Sequence, residues 1–341
     1  MTLVIRHVPA WAIKGASVAL GLALVHGSIG LVAGPQAAQA ALASAGCACL
    51  ADEVATSDRV ARRVCAASVA SLASAAACLA ARPFGAVQAL ALAWVLLAAM
   101  CLFRSPRAAR CVVPAALLSM VFALFVPAFQ SPTRVCVASA LAGSVGYWTW
   151  AVATAWLLQP TWRNRALASN SEGLARLFAA IAHQVGQPAE STRLSEIQTR
   201  DTALAERLQR ARDLVFAGDV SPRACREATL LLHLIDLHEL AMASGLGAGP
   251  STDSPCSPPQ ARLLGRILER VAALLQTIAG QIRSENAPPA DPRLERLIPS
   301  LLAELDLMVL TGRAVAGGST CRSLRRMACV LQSLQAAVPS V

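Results

Sequence analysis

Ala12–Gly34 reads AIKGASVALGLALVHGSIGLVAG: one cation near its start, one histidine, and no other ionisable side chain. At 1.5 Å per residue, a helix of that length crosses the ~30 Å hydrocarbon core of a bilayer. The pattern recurs downstream. Further apolar stretches follow at Pro35–Ala51, Val64–Ala81, Phe84–Phe103, Cys111–Phe129 and Val135–Gln159. They are rich in Ala rather than Leu, so each is a modest insertion signal. Their repetition predicts six transmembrane helices within residues 1–160.

Loop charge predicts how they thread. Arg6 and Lys14 flank the start of the first span; Arg59, Arg62 and Arg63 follow the second; Arg104, Arg107 and Arg110 follow the fourth; Arg163 and Arg165 follow the sixth. The opposite loops carry only Arg82 and Arg134. Ten against two places both termini in the cytoplasm, with hairpin turns at Gly34-Pro35 and Arg82-Pro83 on the far side. Arg6, His7 and Lys14 followed by Ala38-Gln39-Ala40 imitate a signal peptide with its cleavage site. The uncharged run from Gly15 to Gly34 is longer than the ~7–15 residues of a signal-peptide core, so a retained span is expected.

Composition agrees. Hydrophobic residues make up 55% of the chain and charged residues 15%, against about 25% charged in a soluble domain. The net charge of +10 divides unevenly: ten basic against three acidic residues before residue 161, twenty against seventeen after it. Most of the excess is topology signal, and no basic face points to nucleic acid. Of the eleven Cys, most sit in apolar stretches as small hydrophobes. Cys47-x-Cys49 has poor spacing for a tetrahedral metal site, so neither a metal nor a cofactor is expected. No Walker loop, nucleophile elbow or Ser/His/Asp arrangement occurs, and the chain does not read as an enzyme.

From Thr161 the periodicity changes to 3.6. Apolar stripes run through Leu194, Ile197, Leu204, Leu208, Ala211 and Leu214; from Leu263 to Ile282; and from Leu294 to Met308. Ser221-Pro222 and Asp291-Pro292 are helix starts, a cap followed by Pro at the first helical position. The expectation is a cytoplasmic antiparallel helical bundle over 161–341, with helices at 162–186, 190–216, 222–244, 260–285, 292–315 and 319–337 and a flexible Gly/Pro/Ser linker at 245–260. The fold class is therefore all-α.

Several residues combine chemistry with depth. Asp52 and Glu53 end the second span, where they either pair with Arg59 or Arg62 or couple protons. His26 lies inside the first span and serves either a helix-to-helix hydrogen bond or a relay. Tyr147, Trp148 and Trp150 lie in the sixth span; Trp148 and Trp150 are too deep for an interfacial belt and either pack or stack on an aromatic substrate. Trp156 and Trp162 fit that belt. Ala138, Ala142 and Gly146, with Ser139 and Gly143, have small-xxx-small spacing, a helix-packing or dimer face. His183 reads as a surface residue. His233, Asp236, His238 and Glu239 share one helix and pair locally or form a metal face.

Three segments resemble the fusaric-acid-resistance (FUSC) family of inner-membrane proteins, in the branch of aromatic-acid exporters. They are Ala51-Asp52-Glu53 before a basic loop, Trp156-Leu157-Leu158-Gln159-Pro160-Thr161-Trp162-Arg163-Asn164-Arg165-Ala166-Leu167 at the sixth-span exit, and Leu230-Leu231-Leu232-His233-Leu234-Ile235-Asp236-Leu237-His238-Glu239-Leu240. The family's Pro-Gly turn after the acidic residue is missing here. Many relatives carry a second membrane half that this chain lacks, so it resembles a half-transporter; plant malate transporters of similar layout work as dimers. The resemblance implies export of small organic or aromatic acids by a homodimer in the bacterial inner membrane, driven by the proton gradient. Arg59, Arg62, Arg63, Arg104, Arg107 and Arg110 would form a basic cytoplasmic mouth. His26, Asp52, Glu53, Tyr147, Trp148 and Trp150 would line the path. The lipid bilayer, a second copy, and a periplasmic adaptor or second membrane subunit are the expected partners. The competing reading is a membrane-anchored helical scaffold of the envelope that transports nothing.

Overall fold

A computed structural model describes residues 9–81, 106–125, 133–185, 191–216, 221–243, 258–283, 299–300, 303 and 326–334. All regular structure among them is helical. The chain divides into two compact units, Met1–Gln159 and Pro160–Val341.

In the first unit, α1 (Ala10–Ala33) is apolar on every side and buries only Gly21 and Val25. Trp11, Leu31 and Val32 are almost fully exposed. A helix that is hydrophobic all round and scarcely covered by protein needs an apolar solvent. Gly34 breaks it at φ +87, a conformation that glycine adopts without a Cβ penalty. Pro35 then starts α2 (Pro35–Cys49), with its missing N–H at the first helical position. α2 is short and Ala-rich, and nine of its fifteen residues are buried. α3 (Ser57–Ala81) and α4 (Pro106–Phe125) pack closely, and the Ser119 hydroxyl donates to the Ser71 carbonyl at 2.6 Å. Among the described residues, three helices are long and apolar enough to cross a membrane: Ala10–Ala33, Ser57–Ala80 and the stretch within Arg134–Gln184; Val112–Ala123 is a shorter apolar helix. The span expected at 84–103 and the turn at Arg82-Pro83 lie outside the described residues, as does Arg104.

Helix starts differ from the sequence reading. α3 begins seven residues before Val64, so Arg59, Arg62 and Arg63 ride on its first turns rather than in a loop. α4 likewise starts at Pro106, which puts Arg107 and Arg110 on the helix. α5 (Thr133–Gln184) is one helix in which Pro160 is internal. The expected break between Gln159 and residue 162 does not occur. Proline removes only the bond to the Trp156 carbonyl and its fixed φ is helical, so the flanking turns carry the helix through.

The second unit is built from α5 beyond Pro160, α6 (Ser191–Val215), α7 (Pro222–Ala243), α8 (Pro258–Arg283) and a helical segment at 326–334. Its core joins Leu174, Phe178, Ile181, Leu204, Leu234 and Ile267. The stripes read on α6 and α8 are the buried faces where described, and Ser221 caps α7 through the Ala224 N–H at 3.1 Å. The Leu294–Met308 stripe, the Asp291-Pro292 start and the linker through residue 257 fall outside the described residues; Pro258, Pro259 and Gln260 already belong to α8. Trp162, read as interfacial, and Arg163, read as a loop charge, are buried in this unit. Arg163 donates to the Leu214 carbonyl at the end of α6 (3.2 Å) and reaches Glu227 at 3.5 Å. Glu227, its side chain 1% exposed, also takes Arg223 at 3.1 Å. His238 pairs with Asp201 on α6 at 2.6 Å rather than within its own helix, and His183, Asp236 and Glu239 are exposed.

Two substitutions test this packing. A Cβ at Gly143 would strike the backbone of Ala41, whereas Gly46 faces open space. Gly143→Val should lower stability by about 1–3 kcal/mol or more, read as a fall in thermal midpoint in detergent, while Gly46→Ala should leave the midpoint unchanged or higher. In the second unit, Glu227→Leu strands Arg163 and should cost about 3–5 kcal/mol. Thermal circular dichroism should show Glu227→Gln losing less, since an amide oxygen still accepts.

Candidate functional site

The hairpin of α1 and α2 sets up the site by arithmetic. Lys14 lies twenty residues before Gly34, and Asp52 eighteen after it, so the returning chain brings Asp52 level with Lys14. The Lys14 ammonium contacts Asp52 Oδ1 at 2.6 Å. The Asp52 side chain is 1% exposed and that of Lys14 16%. α5 supplies the third member: the Tyr147 hydroxyl donates to Asp52 Oδ2 at 2.9 Å, and Tyr147 is fully buried. Tight turns after α2, with the Asp52 N–H bonded to the Cys49 carbonyl at 3.1 Å, fix the carboxylate. Lys14 is the only lysine in the chain and Tyr147 the only tyrosine. Both converge on one carboxylate.

This arrangement revises the pairing expected for the acidic residues. Asp52 is held by Lys14 and Tyr147, not by Arg59 or Arg62. Glu53 is exposed and pairs with Arg63 at 2.8 Å. The partner of Asp52 was legible in the hairpin count, but Lys14 had served only as a topology charge. Tyr147 enters through its hydroxyl.

The other expected site residues are distributed around the triad. Trp150 donates its indole N–H to the Ser17 carbonyl at 2.9 Å and lies over Gly21, where a Cβ would overlap its ring. Trp148 donates to the Ala61 carbonyl at 3.0 Å. Both indoles are therefore anchors between helices. The exposed His26 places Nδ1 3.4 Å from the Ala38 carbonyl across the hairpin. Of the small-residue row, Gly146 faces Val25, but Ala138 and Ala142 are exposed. The close approach inside the unit is made one position on. Gly143 presses on Ala41, and the Ser44 hydroxyl donates to the Ala140 carbonyl and meets Ser144 at 3.1 Å. Small residues let the backbones approach, and hydroxyls then bond across.

Two spaces adjoin these helices. A cavity of about 10 Å³ lies among Ser44, Cys47, Ser71 and Ser119. An open groove of about 580 Å³ follows α3 beside Trp148, with Arg62 at one end. Among the described residues no cluster of His, Cys, Asp or Glu is grouped to hold a metal ion.

An apolar helical unit with a half-buried cation paired to a buried carboxylate describes a membrane protein. The family model of the FUSC-like inner membrane protein yccS matches residues 62–338. The chain belongs to this FUSC-like family. Its members are inner-membrane proteins of transporter type, which agrees with the apolar helices. The segments from Trp156 and from Leu230 lie within the match. Tyr147 does too, whereas Lys14 and Asp52 precede it. No curated protein matches the chain.

Lys14→Met and Asp52→Asn should each destabilise the protein by about 3–5 kcal/mol, because each strands a buried partner. The double variant should recover more than half of that loss. Strictly additive losses in detergent thermal melts would mean that the two groups do not interact.

Proposed function

We propose that this FUSC-like protein exports small organic anions, aromatic acids among them, and that Lys14 is the cation that receives the carboxylate. The carrying observation is the Lys14–Asp52–Tyr147 triad, in which Asp52 occupies the place a substrate carboxylate would take. Lysine suits this role. Its ammonium is a compact point charge, while the 29 arginines present a delocalised fork. When a substrate carboxylate displaces Asp52 from Lys14, Asp52 is left buried with only the Tyr147 hydroxyl. A lone buried carboxylate is costly, so Asp52 returns to Lys14 when the anion leaves, and the site closes behind its cargo.

The layout that supports this reading has six spans in residues 1–160 (about 12–34, 35–51, 64–81, 84–103, 111–129 and 135–159), both termini cytoplasmic, and residues 161–341 as a cytoplasmic antiparallel bundle. A homodimer completes the path, with Ala138 and Ala142 on the exposed side of α5 available for the contact. Arg59, Arg62, Arg63, Arg104, Arg107 and Arg110 collect anions at the cytoplasmic mouth. The protein works without chemical conversion of its cargo, cofactor or nucleic acid; a periplasmic adaptor or second membrane subunit would extend the path. A second reading rests on the same triad. The ion pair is closed on itself, and the interior cavity among the serines is too small for an organic anion, as in a membrane-anchored scaffold stapled by Lys14 and Asp52.

Benzoate efflux from proteoliposomes separates the readings. Export predicts saturable flux that Lys14→Met abolishes, while Asp52→Asn, which removes the internal competitor for the ammonium, should lower the KM. Folded wild-type protein that passes no benzoate or other aromatic acid would favour the scaffold.

A further inference from the structure

We propose that the groove along α3 holds one acyl chain of an anionic phospholipid, with the lipid phosphate on Arg62. This proposal is independent of transport. The groove runs from Ala61 to Ala73 past Cys65 and Val69, walled by Trp148 of α5. Apart from Arg62 its lining is apolar, which suits a hydrocarbon tail and not a water-soluble anion. Twelve residues of helix rise about 18 Å, close to one leaflet of a ~30 Å hydrocarbon core. A transmembrane segment seated there would need a face twice as deep. The exposed positions on α3, Arg62, Cys65, Val69 and Ala73, recur every three or four residues, so the groove faces outward along one stripe.

Charge marks the headgroup end. Arg62 is exposed; its Nε bonds the Asp58 carbonyl of its own turn, and no carboxylate pairs with it among the described residues. The neighbouring Arg63 is engaged by Glu53, which leaves Arg62 as the cation of the groove. The indole of Trp148, tied to the Ala61 carbonyl, gives that end a rigid wall with a polar edge. Basic residues beside membrane helices select anionic headgroups, each worth about fivefold in affinity.

The test uses the purified full-length chain in neutral detergent, titrated with phosphatidylglycerol or phosphatidylcholine brominated on the acyl chain. Tryptophan quenching reports the tail, and Trp148→Phe isolates the share of Trp148. Phosphatidylglycerol should quench at about fivefold lower concentration than phosphatidylcholine. Arg62→Gln should bring the two curves together, and Val69→Phe should weaken both lipids alike. Phosphatidylglycerol should also slow maleimide labelling of Cys65, read by peptide mapping. The proposal falls if the two lipids quench equally, if Arg62→Gln keeps the preference, or if Trp148→Phe leaves quenching unchanged. It falls too if Cys65 of lipid-free protein resists maleimide, since another segment of the chain would then fill the groove.

Discussion

The membrane unit is organised around the Lys14–Asp52 ion pair. Hydrocarbon offers no water to solvate a charge, so an ammonium and a carboxylate carried among apolar helices must find each other. Their meeting fixes the register of α1 against α2 about Gly34. The Tyr147 hydroxyl then ties α5 to the same carboxylate. Two contacts, 38 and 95 residues apart in sequence, hold the three elements together. The remaining packing is small-residue contact in which Gly143, Ser44 and Ser144 let α5 and α2 approach. Such contact specifies distance well but direction poorly, which makes the buried charges decisive for orientation.

The second unit solves a different problem. Its helices are amphipathic, with ordinary apolar cores of Leu, Ile and Phe. Even so, it buries a charged group, Glu227, between Arg163 and Arg223. There the arginine also closes the end of α6 by taking the Leu214 carbonyl, so one side chain satisfies both a carboxylate and an orphan backbone acceptor.

Much of this was readable in the amino-acid sequence, for reasons that differ by feature. Periodicity gave the α6 and α8 stripes because a helix burying one face must repeat every 3.6 residues. The Gly34-Pro35 turn was legible because only glycine tolerates that φ and proline suits the next position. The helix through Pro160 was not legible: proline weakens helices locally, and whether flanking turns compensate depends on packing. Nor was the burial of Arg163 and Trp162, nor the tyrosine partner of Asp52. Loop-charge counting treats each cation as a label of sidedness, so Lys14 and Arg163 were entered as labels and their tertiary contacts went unsought.

The polar contacts of α2 also bear on how the protein is made. Ser44 finds its partners on α5, 96 and 100 residues later. At ribosomal speeds of about 5–20 residues per second, that gap lasts on the order of 5–20 seconds. During that interval the short, alanine-rich α2 has neither the length nor the hydrophobicity to reside stably in lipid, and its serine lacks a cross-helix acceptor. Emergence of α5 thus becomes the step that commits the early hairpin to its place, and until then the insertion machinery or a chaperone has reason to stay engaged.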